Sequence, residues 1–459
     1  MPPLRPLLVC TILLALGAGA HAEPTLRAGA TKQSIVPPHP TKMGGYFDRL
    51  DNFTGVSTPV YARALVCGNG EHTQALVSLD LIGVSDPLVK LARDKVAAET
   101  SIPAKNVLIC AVHDHSAPTG FVGMSLAGEA DEDTALTEFL ISTIAAVVKE
   151  AQAAMRPSRL GFAYGRLEGI TRNRQQNNNE VVDPELGVLK VEAADSREII
   201  GILCNFTGHP VILGSNNLLL SSEYPGRAAA VIEEVLGGVA VFTQGACGDV
   251  TMHRSGDPFE EIKRLGNIVA GEAIKTAGLI TPSDDTALVS AVQAVTVEPR
   301  VLPSLAEAQE RLESLQQALG KAKNGGETEA KTRRLEREAD AAETTLNVVK
   351  LAQARPGLVD EACHTSVQVM QWGPLIVVGM PGELFVEYQL EMKQRVRQAT
   401  GHPLMVAGYA NDYIGYIVTP RAVHTGGYEQ AIARVSHTAG RTLVEAAMTL
   451  AEAGMKKEE

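Results

Sequence analysis

The sequence predicts an α/β fold, mixed β-sheets flanked by helices with an inserted αα-hairpin over about 303–354, and three observations predict it. From about residue 24 to 300, short β-branched runs alternate with helix-length amphipathic segments. The next stretch turns helical in period and rich in Ala, Leu, Glu, Lys and Arg, after which apolar strand-like runs return. With 459 residues and 45% apolar composition, the chain can bury a large core.

The elements follow in order. Residues 1–22, MPPLRPLLVCTILLALGAGAHA, place Arg5 before an apolar run that closes on Ala20-His21-Ala22, the pattern of a cleaved secretory leader. The expected product is a secreted or periplasmic protein. No later stretch holds the roughly 18 to 20 apolar residues that span a bilayer, so no transmembrane segment is expected. Strands are predicted over ALVSLDLIGV, NVLICAVHDH, GVLKVEA, REIIGILCNFTGHPV and VAVFTQG, with helices over 135–155 and 224–236. Residues 286–299 read as a strand rejoining a sheet. The hairpin over 303–354 breaks at Asn324-Gly325-Gly326 and reads as a solvated two-helix arm, with partner docking as its alternative role. TSVQVMQWGPLIVVGMPGELF returns to strands, a helix over 428–453 closes the chain, and 456–459 is a charged end. Residues 23–455 are expected to form one catalytic domain without a further C-terminal β-domain.

Net charge is −12, and no cluster of lysine and arginine is dense enough to follow a phosphate backbone, which argues against nucleic acid as a partner. Beyond the leader the cysteines are Cys67, Cys110, Cys204, Cys247 and Cys363, an odd number, widely spread and without C-x-x-C spacing. One or two disulfides at most are expected.

Four stretches carry residues suited to chemistry. VLICAVHDHS runs apolar residues into His113 and His115, which strand alternation would aim the same way. From this stretch alone, a metal pair and a structural pair bonded to the following loop are both open. His209 ends a second apolar run before Pro210, and Glu383 follows the turn Pro381-Gly382 after a third. Glu383 could equally serve a helix N-terminus. The fourth stretch, GYANDYIGY (408–416), is a tyrosine-rich loop. Two or three imidazoles with one carboxylate, all at strand ends, make the ligand set of a catalytic zinc with a position left for water.

With AGATKQSIVP (28–37), YARAL (61–65), VSLD (77–80), HDHS (113–116), Asn173-Arg174, GHP (208–210), GDV (248–250), PGE (381–383) and NDYIGY (411–416), the chain resembles the neutral/alkaline non-lysosomal ceramidase family. The resemblance implies zinc amidase chemistry on an N-acyl, lipid or small-molecule substrate. It implies one zinc held by His113, His209, Glu383 and Tyr416. His115 would hydrogen-bond or transfer a proton, Arg174 would position the scissile carbonyl or its oxyanion, and Tyr413 would stand behind the ligands. The implied reaction is attack by zinc-bound hydroxide on a carbon–nitrogen amide bond. Two positions depart from the family pattern: Gly245 replaces a serine and Ser57 often a histidine. An esterase or deacylase for acylated glycans or small metabolites, and a non-catalytic secreted binding protein, are the alternatives on the same scaffold.

Overall fold

The computed structural model describes residues 26–46, 49–119, 133–175, 180–354 and 361–455. The leader expected over 1–22 and the charged end 456–459 lie outside them. Runs such as Ala75–Val77 and Val107–Ala111 are apolar throughout rather than alternating, and nearly every residue of the strands that carry them, Thr73–Leu79 and Val107–Ala111, is buried. Such strands need cover on both faces, and the topology supplies it.

The larger sheet has eight strands, in spatial order Val239–Gln244, Ile199–Phe206, Glu185–Ala193, Arg156–Arg166, Arg27–Ser34, Tyr61–Gly68, Thr73–Leu79 and Val107–Ala111. The outermost pair at each end is parallel and the pairs between are antiparallel. Arg27–Ser34 and Arg156–Arg166 share only the register pairs Arg27 with Pro157 and Ala28 with Arg156. At that short seam the sheet turns back on itself. Ser78 Oγ donates to the Phe242 carbonyl from the opposite half, and Leu65 and Ala30 lie against Gly201. Leu76, Leu108, Leu203 and Val241 fill the space between, together with Trp372 and Met405 of the second sheet.

The second sheet runs Leu288–Val297, Cys363–Trp372, Leu375–Gly379 and Leu404–Ala407, with only the last pair parallel. Helices Asp86–Glu99 and Thr134–Ala153 cover one part of the large sheet, and Glu223–Leu236 and Pro258–Leu279 another. Val386–Thr400 and Ala439–Met455 cover the second sheet. The architecture is therefore mixed α/β with flanking helices, as the sequence pattern predicts.

The hairpin is present as helices Leu305–Asn324 and Glu329–Ala354, joining two neighbouring antiparallel strands of the second sheet. Ser304 and Glu307 form a reciprocal cap at its start, and Gly326 turns the chain at φ +67°. Leu315, Ala322, Leu335, Ala339 and Ala342 close a seam between the two helices. The second helix leans on a short helix, Tyr428–Ile432, beside an open cleft of about 420 Å³ lined in part by Glu307, Arg311, Arg337, Gly426 and Gln430.

One expected element divides. The helix predicted over 428–453 is two helices, Tyr428–Ile432 and Ala439–Met455. Between them Arg300 N donates to the Arg434 carbonyl, Ser436 N donates to the Glu298 carbonyl, and Val435 bridges Pro299. Long-range pairing there takes backbone groups that a continuous helix would need, and local propensity yields to it. Cys67, Cys110, Cys204, Cys247 and Cys363 are all free thiols, the first four buried, so burial as small apolar side chains accounts for them.

Candidate metal centre

Val107–Ala111 ends two residues before His113, and His113 takes a left-handed backbone at φ +64°. Strand alternation therefore does not aim the pair, contrary to the sequence expectation; the turn does. His115 N bonds the Pro210 carbonyl at 3.4 Å, and Arg49 Nη2 donates to the His115 carbonyl at 2.8 Å. The Asp114 side chain bonds the backbone N of Ser116 instead of joining its neighbours. The two rings still meet edge to face, 4.8 Å between centroids, with their Nε2 atoms 3.2 Å apart.

His209 arrives from the end of Ile199–Phe206, its Nε2 2.9 Å from that of His113. His113 Nδ1 faces the Ile82 carbonyl at 2.7 Å and His209 Nδ1 faces the Cys247 carbonyl at 2.8 Å. A carbonyl oxygen can only accept, so each Nδ1 carries the proton and each Nε2 presents a lone pair. The Nε2 atoms of His113, His115 and His209 form the one group of three or more metal-capable side chains among the described residues.

Glu383 opens a two-residue strand, Glu383–Leu384, paired in parallel with Tyr416–Ile417. Its Oε1 accepts from Tyr413 OH at 2.5 Å. Its Oε2 is buried without a hydrogen bond, 3.3 Å from His113 Nε2 and 3.5 Å from His209 Nε2. Two imidazole lone pairs and a carboxylate oxygen facing one point inside a protein are costly unless a cation lies between them. The donor set, nitrogen with one hard oxygen, suits zinc.

Burial dominates the protonation equilibria. It holds His115 and His209 well below the usual histidine range; neighbouring His113 adds to this for His115, and Arg174 for His209. Burial pushes the Glu383 carboxyl up, but His113, the Tyr413 hydrogen bond and Arg174 together bring it below its ordinary value. Burial pushes the phenols of Tyr409, Tyr413 and Tyr416 well above theirs.

The sequence candidates are thus assembled in one place, with a distinction among them. Glu383 approaches His113 and His209, while His115 stands closer to His113. Tyr416 pairs in register with Glu383, and its hydroxyl accepts from Arg174 Nη2 at 2.8 Å. Arg174 Nη2 also donates to the Gly248 carbonyl at 2.8 Å, and Nε meets Glu429 Oε1 at 2.7 Å. Tyr413 holds the carboxylate.

Sequence reading missed several contributors. Tyr409 stacks on His113 with centroids 4.0 Å apart and planes 13° apart, and itself sits at φ +53°. Tyr46 meets His115 edge to face at 5.1 Å. Gly45, at φ +100°, lies so close that a Cβ there would be 2.4 Å from His115 Nδ1. The adjacent glycines before Tyr46, and the first tyrosine of GYANDYIGY, were the available signals. Glu429 offered none, since a single acid in a helical stretch reads as a solvated residue.

Residues 28–283, more than half of the chain and including His113, His115, Arg174 and His209, match the family model described as neutral/alkaline non-lysosomal ceramidase, N-terminal. The chain belongs to this family. The neutral ceramidase of Pseudomonas aeruginosa is 27% identical over 305 residues, 59% of this chain and 45% of that protein. The neutral ceramidase of Mycobacterium tuberculosis is 23% identical over 384 residues, 71% of this chain and 60% of the relative. This ceramidase-family chain thus spans about half of the length of the relatives it matches. The crystal structure of the Pseudomonas aeruginosa neutral ceramidase superposes with a TM-score of 0.75 at 19% identity, covering 95% of this chain and 75% of that one. A structure of a ceramidase complexed with C2 gives 0.73 at 18% identity, covering 95% and 76%. The fold is therefore the neutral ceramidase fold, and in this chain it brings together three histidines that could hold a metal ion.

At Gly245, where the family pattern has a serine, the structure leaves no room for one. A Cβ would lie 2.1 Å from Thr207 Oγ1 and 2.9 Å from Gln389 Oε1. Gln389 is held in turn by Ala246 N, Thr207 Oγ1 and Asp183 Oδ2. Gly245→Ser is therefore expected to destabilise the fold by about 1–3 kcal/mol through overpacking. Urea unfolding would show it as a lowered midpoint; an unchanged midpoint would mean that Thr207 turns aside freely.

Proposed function

We propose that this protein is an exported zinc-dependent hydrolase that cleaves a carbon–nitrogen amide bond in an N-acyl substrate, ceramide or another N-acylated amine. In this reading one zinc per chain is held by His113, His209, Glu383 and Tyr416. The observation that carries it is the meeting of two tautomer-fixed Nε2 atoms and the otherwise unbonded Glu383 Oε2 at one buried point. Zinc bound there would supply a Lewis acid and lower the pKa of a water molecule from about 15.7 to about 7. No membrane-spanning helix occurs among the described residues; export rests on the leader pattern ending at Ala20-His21-Ala22.

The side chains then divide the remaining work. The carbonyls of Ile82 and Cys247 hold His113 and His209 in one orientation. Tyr413 fixes one oxygen of Glu383 and so aims the other. His115, kept neutral by burial, can take a proton at Nε2 and return it to the leaving nitrogen. Arg174 spends Nη2 and Nε on Tyr416, Gly248 and Glu429, which leaves Nη1 for negative charge developing on the substrate oxygen.

Metal content by mass spectrometry, followed by hydrolysis of N-acyl and O-acyl substrates with and without chelator, tests this reading. About one zinc per chain and chelator-sensitive amide cleavage are expected. Zinc-free protein, or turnover indifferent to chelator, would overturn it, and turnover of esters alone would replace the amidase with an esterase.

A further inference from the structure

Glu429 lies outside the proposed ligand set yet is buried, 4% exposed, and both of its carboxylate oxygens are engaged from the side of the metal centre. Oε1 meets Arg174 Nε at 2.7 Å and Oε2 accepts from Gln175 Nε2 at 2.7 Å. Arg174 then reaches past this pair, with Nη2 bonded to the Gly248 carbonyl and to Tyr416 OH, each at 2.8 Å. A guanidinium is a rigid planar fork on a flexible stem. Charge pairing at Nε on one edge and two hydrogen bonds from Nη2 on the other orient its plane, and the plane decides where Tyr416 OH finds its donor.

The element carrying Glu429 is anchored independently of the centre. Tyr428–Ile432 follows Gly426 and Gly427, both at positive φ, and Arg300 Nη1 donates to the Gln430 and Ala431 carbonyls at 2.6 and 2.7 Å. Glu429 is thus a fixed point against which Arg174 can be oriented. An acid serving solubility alone would not be buried with one oxygen in an ion pair and the other accepting a hydrogen bond.

We propose that Glu429 is a positioning residue that orients Tyr416 toward the metal by holding Arg174, an inference that rests on the ligand set proposed above. Partners one step behind metal ligands typically control affinity or activity by about 10–100-fold. Glu429 acts on Tyr416 only through Arg174, so the two substitutions are not additive.

The test is zinc competition against a chelator with the full chain, supported by the absorption spectrum of the cobalt-substituted protein and the melting temperature of the metal-free forms. Glu429→Ala is expected to weaken zinc about tenfold or more and to shift the cobalt bands. Glu429→Gln, which keeps the side chain's shape but not the charge that pairs with Arg174, recovers only part of the loss. In an Arg174→Ala background, Glu429→Ala adds nothing. Wild-type zinc affinity and cobalt spectrum in Glu429→Ala, or an equal further loss in the Arg174→Ala background, would overturn the inference. A fall in metal-free melting temperature with unchanged zinc affinity would overturn it too, leaving a structural ion pair. Should Glu429→Ala fail to fold, Glu429→Gln within twofold of wild type in affinity, with an unchanged cobalt spectrum, would be decisive against it. Glu383→Gln separates the two levels: if it too binds zinc like wild type, the ligand set itself is wrong.

Discussion

Replacing His113 with alanine is expected to leave the purified protein without stoichiometric zinc, whereas His115→Ala keeps the metal and loses roughly 10²–10⁴-fold in hydrolysis. The asymmetry follows from what holds each ring. His113 offers a lone pair whose direction is set by the Ile82 carbonyl, faces His209 and Glu383 together, and is clamped against the Tyr409 ring. Its removal opens the centre between the other two donors, a loss well beyond the roughly 10–100-fold attached to an outer partner. His115 Nδ1 lacks the short carbonyl contact that fixes the tautomers of His113 and His209 and meets only a weaker backbone partner at Gly45, so its Nε2 is the freest of the three to exchange roles as donor and acceptor. That is what a proton-transferring group needs and a permanent ligand does not. Metal analysis and single-turnover hydrolysis on both variants decide the matter. Zinc lost equally from both would make His115 a ligand, in keeping with its Nε2 lying in the three-imidazole group, and would move the proton-transfer role elsewhere.

His113, His115, His209 and Glu383 were legible in the sequence because they close apolar runs, the part of a sequence that periodicity reads well, whereas the roles of Arg174, Tyr413 and Tyr416 came from the family resemblance. The reasons for their convergence were not legible. The H-x-H pair reads as two residues on one strand face, yet His113 sits past the strand in a left-handed turn. Such a backbone is set by bonds to distant chain, here Asp114 N to the Leu81 carbonyl and His115 N to the Pro210 carbonyl. The parallel pairing of Glu383–Leu384 with Tyr416–Ile417 involves two residues on each side, too few to leave a pattern. Glu429, Tyr46 and Arg49 act from loops or a single helical turn, where one residue's role depends wholly on what lies opposite. The hairpin, whose contacts are local, was readable to within a few residues.

Gly248→Ala, the addition of one methyl group, is expected to cost stability and metal affinity together. A Cβ at Gly248 would lie 2.4 Å from the Glu383 carbonyl oxygen and 2.9 Å from both the Glu383 carbonyl carbon and the Leu384 oxygen. Every one of these is a backbone atom, so no side chain can rotate away; the strand that delivers Glu383 must move. That strand is also held by Gly248 N donating to the Leu384 carbonyl at 3.0 Å. On either side of Gly248, the Cys247 carbonyl orients His209 and Asp249 Oδ1 accepts from Val386 N at the start of the next helix. Overpacking of this kind costs about 1–3 kcal/mol, and misplacing a reacting group by about 1 Å can cost about 10²-fold in rate. Gly271 provides the control, since it is exposed on helix Pro258–Leu279 and a Cβ there would meet nothing within 4 Å. Gly271→Ala should be neutral or stabilising by up to about 1 kcal/mol, because alanine restricts the unfolded chain and suits a helix. Urea unfolding and zinc competition on both variants read the contrast. Wild-type zinc affinity in Gly248→Ala would show that the strand yields without moving the carboxylate, and that Glu383 is held by Tyr413 rather than by the backbone beneath it.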